Sequence, residues 1–129
     1  MIAPGLVGEI EIVVAPADSA DALGNPGVHV LATPRLVALL EQAAIRAVAP
    51  HLPPGTGTVG TRIDVRHLAA TPVGMRATIR ATLREVDGRR LVFDIEGRDA
   101  ADRIVEGTHE RIQIDQARFL ARVAEKARR

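Results

Sequence analysis

The run from Leu31 to Pro50, LATPRLVALLEQAAIRAVAP, constrains the fold more than any other part of the chain, because it reads as one long buried helix. Thr33 suits the N-cap, and Pro34 the first helical position, where its missing N–H costs nothing and its φ is already helical. Pro50 ends the helix. At about 100° of rotation per residue, Arg35, Gln42 and Arg46 gather on one side, with Leu36, Val37, Leu40, Ala44, Ala47 and Val48 opposite. Glu41 is the misfit, projecting between Ile45 and Val48 on the apolar side. A carboxylate there loses hydration unless it is paired, hydrogen-bonded or protonated. Glu41 is therefore the leading functional candidate, the alternative being a place at the edge of the apolar arc, within reach of solvent or an arginine.

The chain of 129 residues, 47% of them hydrophobic, suffices for one compact domain, residues 1–129, and is too short for two ordinary ones. Its core must be aliphatic, because Phe93 and Phe119 are the sole aromatics other than histidine. That composition offers no base-stacking platform, and a formal charge of +1 offers no basic footprint for nucleic acid. The absence of cysteine excludes disulfides, thiolate zinc sites and cysteine nucleophiles. Neither a signal peptide nor a membrane span is legible, so a cytoplasmic protein is the default expectation.

Leu6 to Val14 alternates as a first strand, with Ile10, Ile12 and Val14 on one face. Ala15 to Val30 is a loop long enough to act as a lid. After the helix and the turn His51 to Gly57, a strand from Thr58 to Leu68 puts Val59, Thr61, Ile63, Val65 and His67 on one face. A strand from Met75 carries Ala77, Ile79, Ala81 and Leu83 against an arginine and threonine face. Asp87-Gly88 signals a hairpin into a strand with Leu91, Phe93 and Ile95 inward. The last strand, Ile104 to Ile114, has mixed parity, which suggests a bulge or an edge location. Asp115 then caps a short terminal helix with Phe119, Leu120 and Val123 on one side. One long helix against a mainly antiparallel sheet is an α+β layer, and wrapping that sheet around the helix gives the hot-dog fold, which usually dimerises.

Four elements of this arrangement can converge. Thr33 sits at a helix start, where free N–H groups favour developing negative charge. Glu41 follows two turns later, Gly60 lies early in the next strand, and His67 ends that strand on its apolar face. A carboxylate and an imidazole in reach of each other can divide general base and acid roles. Plainer readings exist for each: Thr33 as a cap, Gly60 as a bulge, His67 as a hydrogen-bonded strand-end histidine. His29, His51 and His109 read as surface or loop residues, and the histidine spacing matches no zinc motif. GTGTVG at Gly55 to Gly60 lacks the Lys-Ser/Thr and the following helix of a phosphate loop. The arginines at 76, 80 and 84 and the basic tail read as solvated faces.

The segments ATPRLVALLEQA (Ala32 to Ala43), RAVAPHLPPGTGTVGT (Arg46 to Thr61), VRHLAATPVG (Val65 to Gly74), VDGRRL (Val86 to Leu91) and EGTHERIQI (Glu106 to Ile114) together resemble the fluoroacetyl-CoA thioesterase family of hot-dog proteins. The resemblance implies a homodimeric acyl-CoA thioesterase with Thr33, Glu41 and His67 as the catalytic set. It places Gly60 beside the thioester and has Arg111 support the site, although strand parity puts Arg111 opposite Ile112 and Ile114. Glu41 would activate water or attack the thioester directly, His67 would handle protons, and Thr33 would orient the acyl carbonyl or relay a proton.

One departure concerns specificity. Fluoroacetate-specific members carry phenylalanines in the lid loop, whereas Leu23 to Val30, LGNPGVHV, has none. The expected substrate is therefore another short or medium acyl-CoA. No metal or redox cofactor is expected, coenzyme A entering only as part of the substrate, and no membrane or nucleic-acid partner. Whether dimers pair into tetramers is left open. The rival readings are a hot-dog hydratase acting on an enoyl or hydroxyacyl thioester and a non-catalytic acyl-CoA binding module.

Overall fold

The computed structural model describes residues 1–129. Five strands, β1 (Val7–Val13), β2 (Thr56–His67), β3 (Arg76–Asp87), β4 (Arg90–Asp99) and β5 (Arg103–Asp115), form one antiparallel sheet in the order β1-β3-β4-β5-β2. The long helix α1 (Thr33–Val48) packs across the sheet, and a short helix α2 (Gln116–Ala127) follows β5. This is the hot-dog arrangement the sequence led us to expect. β5 lies between β4 and β2, so its mixed parity is not that of an edge; the edges are β1 and β2.

The alternation of β1, β3 and β4 translates directly into packing. Ile10, Ala77, Ile79, Ala81, Leu83, Leu91, Phe93 and Ile95 are buried against Leu36, Leu39, Leu40, Ala43, Ala44, Ala47 and Val48 of α1. The buried arc of α1 thus takes in Leu39 and Ala43, which places Glu41 at its edge. Each fully buried leucine contributes roughly 1.5–3 kcal/mol from burial alone, so this layer is what holds α1 on the sheet. Gly8 of β1 permits the close approach, since a Cβ there would lie 2.1 Å from the Ala43 carbonyl oxygen and 2.5 Å from the Ala47 nitrogen.

The outer face of the sheet is wet, as expected for a one-sided antiparallel sheet. Arg76, Arg80 and Arg84 pair there with Glu11, Glu9 and Asp94. Asp115 caps α2, its carboxylate accepting the Arg118 N–H at 3.1 Å, but no residue of α2 is fully buried, and Leu120 and Val123 are exposed. Neither helix is long and apolar enough to cross a membrane.

Two places depart from simple alternation. The β2–β5 register pairs Gly60 with Arg111 and then Arg62 with Glu110, leaving Thr61 as an extra, bulged residue. Before the bulge Thr58 and Gly60 face the helix, and after it Ile63, Val65 and His67 do. The expectation that Val59 and Thr61 share the face of His67 is therefore wrong, because one extra residue exchanges the two faces of a strand. On β5 the buried residues are Ile104, Val105, His109 and Arg111, while Ile112 and Ile114 lie on the face opposite Arg111 and are only half-buried.

Candidate active site

The helix start does not use Thr33 as its cap. Ala32 holds the N-cap position with extended backbone and no side-chain cap, Thr33 is the first helical residue, and Pro34 the second. The Thr33 hydroxyl is thereby free for another partner, and it lies 2.8 Å from Nδ1 of His67. Burial pushes the His67 imidazole below the ordinary value of 6.5, the Ala69 backbone acting in the opposite direction. Its Nε2 is buried without any hydrogen-bond partner. An orphaned ring nitrogen is costly in a folded protein and is common where a reacting group belongs.

Thr33 and His67 open onto a cavity of about 370 Å³ whose other walls include Ala20, Asn25, Val28, Val30, Leu31, Leu68, Ala69 and Ala70. The lid loop is folded down on it by named contacts. Asp18, in a 3-10 turn at Pro16–Asp18, bonds Arg35 at 2.8 Å, and the Asp21 carboxylate accepts the Gly27 N–H at 2.8 Å. Val30 bridges to Pro72, and Ser19 to Leu31. The walls are aliphatic apart from Asn25, Thr33 and His67, and no phenylalanine reaches them.

Glu41 belongs to a second cluster. Its Oε2 accepts from Nη1 of Arg111 at 3.0 Å, with the carboxylate side chain 36% exposed and the guanidinium only 4%. The edge-of-arc alternative, with an arginine as partner, is the one realised. The bulge and the strand pairing explain why Arg111 is inside: its neighbours are the inward Thr58 and Gly60 of β2. Arg111 donates from Nε to the Thr58 hydroxyl at 2.8 Å and from Nη2 to the Thr58 carbonyl at 3.0 Å. Burial pulls the Arg111 pKa down, and the bond and charge of Glu41 push it back up. Arg111 does lie on the face opposite Ile112 and Ile114, and that face is the inner one.

Gly60 faces this cluster. A Cβ on it would stand 2.5 Å from Glu41 Oε2, 3.2 Å from Arg111 Nη1 and 3.3 Å from His109 Cε1. Gly60 thus both borders the bulge at Thr61 and leaves the opening into which the carboxylate fits. His109, expected at the surface, is completely buried and stacks on Phe93 with ring centroids 6.2 Å apart. Its position in β5, in the same parity as Val105 and Arg111, was the signal that could have located it.

No hydrogen bond joins the Thr33–His67 pair to the Glu41–Arg111 pair within one chain. Thr33 and Glu41 are separated by about 12 Å of helix, and Gly60 and His67 by about 23 Å of strand at ordinary rises per residue. No three His, Asp or Glu side chains converge as a metal-binding group. A wider, polar depression of about 650 Å³ lies on the outer face around Asp64, Arg66, Asp94 and Glu106. It holds none of the residues of either cluster.

The chain as a whole is similar to known proteins. The family model for fluoroacetyl-CoA-specific thioesterases matches residues 14–117. The fluoroacetyl-CoA thioesterase of Streptantibioticus cattleyicolor is 48% identical over 98 residues, which cover 76% of this chain and 70% of that protein. A solved structure of a fluoroacetyl-CoA thioesterase superposes with a TM-score of 0.89 at 40% identity over 98% of both chains. A thioesterase superfamily member from Thermus thermophilus gives 0.89 at 28% identity, over 99% of this chain and 97% of its own. A match to most of the chain, joined to that identity with a named member, shows that the chain belongs to the fluoroacetyl-CoA-specific thioesterase family.

Proposed function

We propose that the protein is an acyl-CoA thioesterase acting on a short or medium aliphatic acyl chain, and that it works as a cytoplasmic homodimer of single-domain subunits. The observation that carries this reading is the His67 imidazole beside an apolar cavity at a helix start, bonded through Nδ1 to Thr33 while its buried Nε2 has no hydrogen-bond partner. A thioester carbonyl brought there would find a hydroxyl, an imidazole and the positive end of a helix.

The Glu41 carboxylate completes the chemistry across a two-fold axis. β2 is an edge strand whose segment Gly60–Asp64 is exposed, and its outer N–H and C=O groups are open to another strand. Antiparallel pairing of two β2 edges about an axis near Ile63 sets Gly60 of one protomer beside His67 of the partner subunit. Glu41, which abuts Gly60, then joins Thr33 and His67 of the partner subunit. Two half-sites become two whole sites, each drawing on both chains.

In this site Glu41 presents Oε1, which no protein group engages, while Oε2 is held by Arg111. Oε1 either takes a proton from a water whose oxygen adds to the thioester carbon or adds to that carbon itself. The C–S bond breaks, the CoA sulfur takes a proton through His67, and a second-stage hydrolysis follows only in the direct-attack route. Both routes consume one water and yield acid and free CoA. The aliphatic lid favours substrates other than fluoroacetyl-CoA.

Thiol release from a panel of acyl-CoAs, acetyl to long-chain with fluoroacetyl included, tests the reading. Wild type should release CoA and Glu41→Gln should not. Wild-type turnover by Glu41→Gln would overturn the mechanism, a change at the β-carbon without thiol would indicate a hydratase, and saturable binding without turnover a binding module. Mixing inactive Glu41→Ala and His67→Ala chains under exchanging conditions should restore about a quarter of wild-type activity through heterodimers with one intact site. No recovery after verified exchange would exclude the shared site.

A further inference from the structure

We propose that His109 is a positioning residue for Glu41, acting through Arg111, and that it does so as a neutral imidazole locked in one tautomer. Arginine offers only N–H donors. Nη1 of Arg111 lies 3.1 Å from Nε2 of His109 and 3.0 Å from Oε2 of Glu41, so its two hydrogens are shared between these two acceptors. His109 Nε2 must therefore carry a lone pair. Its Nδ1 lies 2.7 Å from the Arg62 carbonyl oxygen, a group that can only accept, so the ring proton sits on Nδ1. The tautomer follows from the partners at both ends.

The result is a single chain of donors: Nδ1 of His109 into the Arg62 carbonyl, Arg111 into Nε2 of His109, and Arg111 into Glu41. With the two bonds to Thr58, four of the five guanidinium hydrogens are committed, and the guanidinium has one orientation. His109 is the member with no freedom of its own, being fully buried, stacked on Phe93 and abutting Gly60 through Cε1. Arg62, which anchors it, is where the β2 register resumes after the bulge. The bulge thus has a chemical consequence: it fixes the carbonyl that fixes His109, which aims the arginine at the carboxylate. Without the Nε2 acceptor, one Arg111 hydrogen is left unpaired in the interior, and Nη1 loses one of the two partners that set its aim at Glu41 while the bonds to Thr58 remain.

This inference rests on the thioesterase reading for its kinetic arm alone. Long-range proton–nitrogen correlation on uniformly nitrogen-15-labelled wild-type protein at neutral pH should show His109 as the Nδ1–H neutral tautomer. An Nε2–H tautomer or a charged ring would overturn the proposal whether or not the protein turns over any ester. On the best acyl-CoA of wild type, His109→Leu should lower kcat by roughly tenfold to a hundredfold with KM nearly unchanged, as expected for a misaimed carboxylate. His109→Gln, whose amide can accept from Arg111 and donate to the Arg62 carbonyl, should recover most of that loss. Wild-type kcat in His109→Leu, or His109→Gln no better than a soluble, folded His109→Leu, would refute the positioning role. If wild type itself releases no thiol, the thioesterase reading fails and the tautomer measurement still decides the geometry.

Discussion

Replacing Gly60 with alanine separates the site from the scaffold. Gly60 does not lie in the left-handed region, so an alanine backbone fits without strain. What does not fit is the methyl group, which would stand 2.5 Å from Glu41 Oε2, whereas ordinary van der Waals contact begins at 3.4 Å. The carboxylate must therefore retreat by roughly 0.9 Å, and a displacement near 1 Å of a reacting group can cost about a hundredfold in rate. That corresponds to about 2.7 kcal/mol of lost transition-state stabilisation.

The stability cost should be far smaller. The nearest atom is the end of a flexible side chain that is 36% exposed on its open side, and Arg111 Nη1 at 3.2 Å need yield by only a few tenths of an ångström. A cost of about 1 kcal/mol, partly offset by the reduced freedom of the unfolded chain, lowers the Tm by only a few degrees. Thiol release on the best acyl-CoA and thermal unfolding by circular dichroism, run on the same preparations, give both numbers. An alanine variant with wild-type kcat/KM would refute the reasoning. So would one that loses its cooperative unfolding transition, since then Gly60 serves the sheet and not the carboxylate.

Gly8→Ala should behave in the opposite way, because its methyl would meet the backbone of α1 at Ala43 and Ala47, which can yield only by lifting the helix. A loss of about 3 kcal/mol is expected in urea unfolding, and a shift in midpoint no larger than that of Gly60→Ala would count against the packing account. Stability should also fall in acid from 6.5 downward, because burial depresses the folded-state pKa of both His67 and His109, so that the unfolded chain binds the extra protons. Each histidine contributes fully above 6.5 and loses that contribution as the pH falls through its depressed folded value, with a slope up to about 1.4 kcal/mol per pH unit. Urea unfolding across about two pH units below 6.5, at constant ionic strength, should show this slope, shallower in His109→Gln; a flat profile would contradict it.

The helix, the sheet and its inward residues on β1, β3 and β4 were legible because each depends on a period within one segment. What failed depends on two segments at once. The bulge at Thr61 exists only as a mismatch between β2 and β5, so single-strand alternation put Val59 and Thr61 on the wrong face. On β5 the parity of Ile104, Ile112 and Ile114 with Glu106 and Glu110 gave no clear inward face, and it is His109 and Arg111, of the other parity, that are buried beside the core residue Ile104. Glycine inside a strand was the available signal: Gly60, and Gly107 with φ +147, mark where β2 and β5 leave ideal geometry. Thr33 looked like a cap because caps are local, whereas its partner His67 lies 34 residues away.

This explains why candidate site residues could be named before their arrangement could. Thr33, Glu41 and His67 each stand out locally, as a hydroxyl at a helix start, a carboxylate near an apolar arc and an imidazole at a strand end. Local prominence says nothing of mutual distance. In the fold the first and third meet, while the second is held apart with Arg111 and His109, about two helical turns along α1. A helix and an antiparallel strand of the proposed dimer edge are enough to reconcile this, because a two-fold axis through β2 exchanges the strand's ends and leaves each helix unmoved on its own sheet. The catalytic set would then be assembled by the same edge strand that needs a partner for its open backbone groups. Dimerisation and chemistry would fail together, and the weakest point of the isolated sheet would be the one that function requires to be covered.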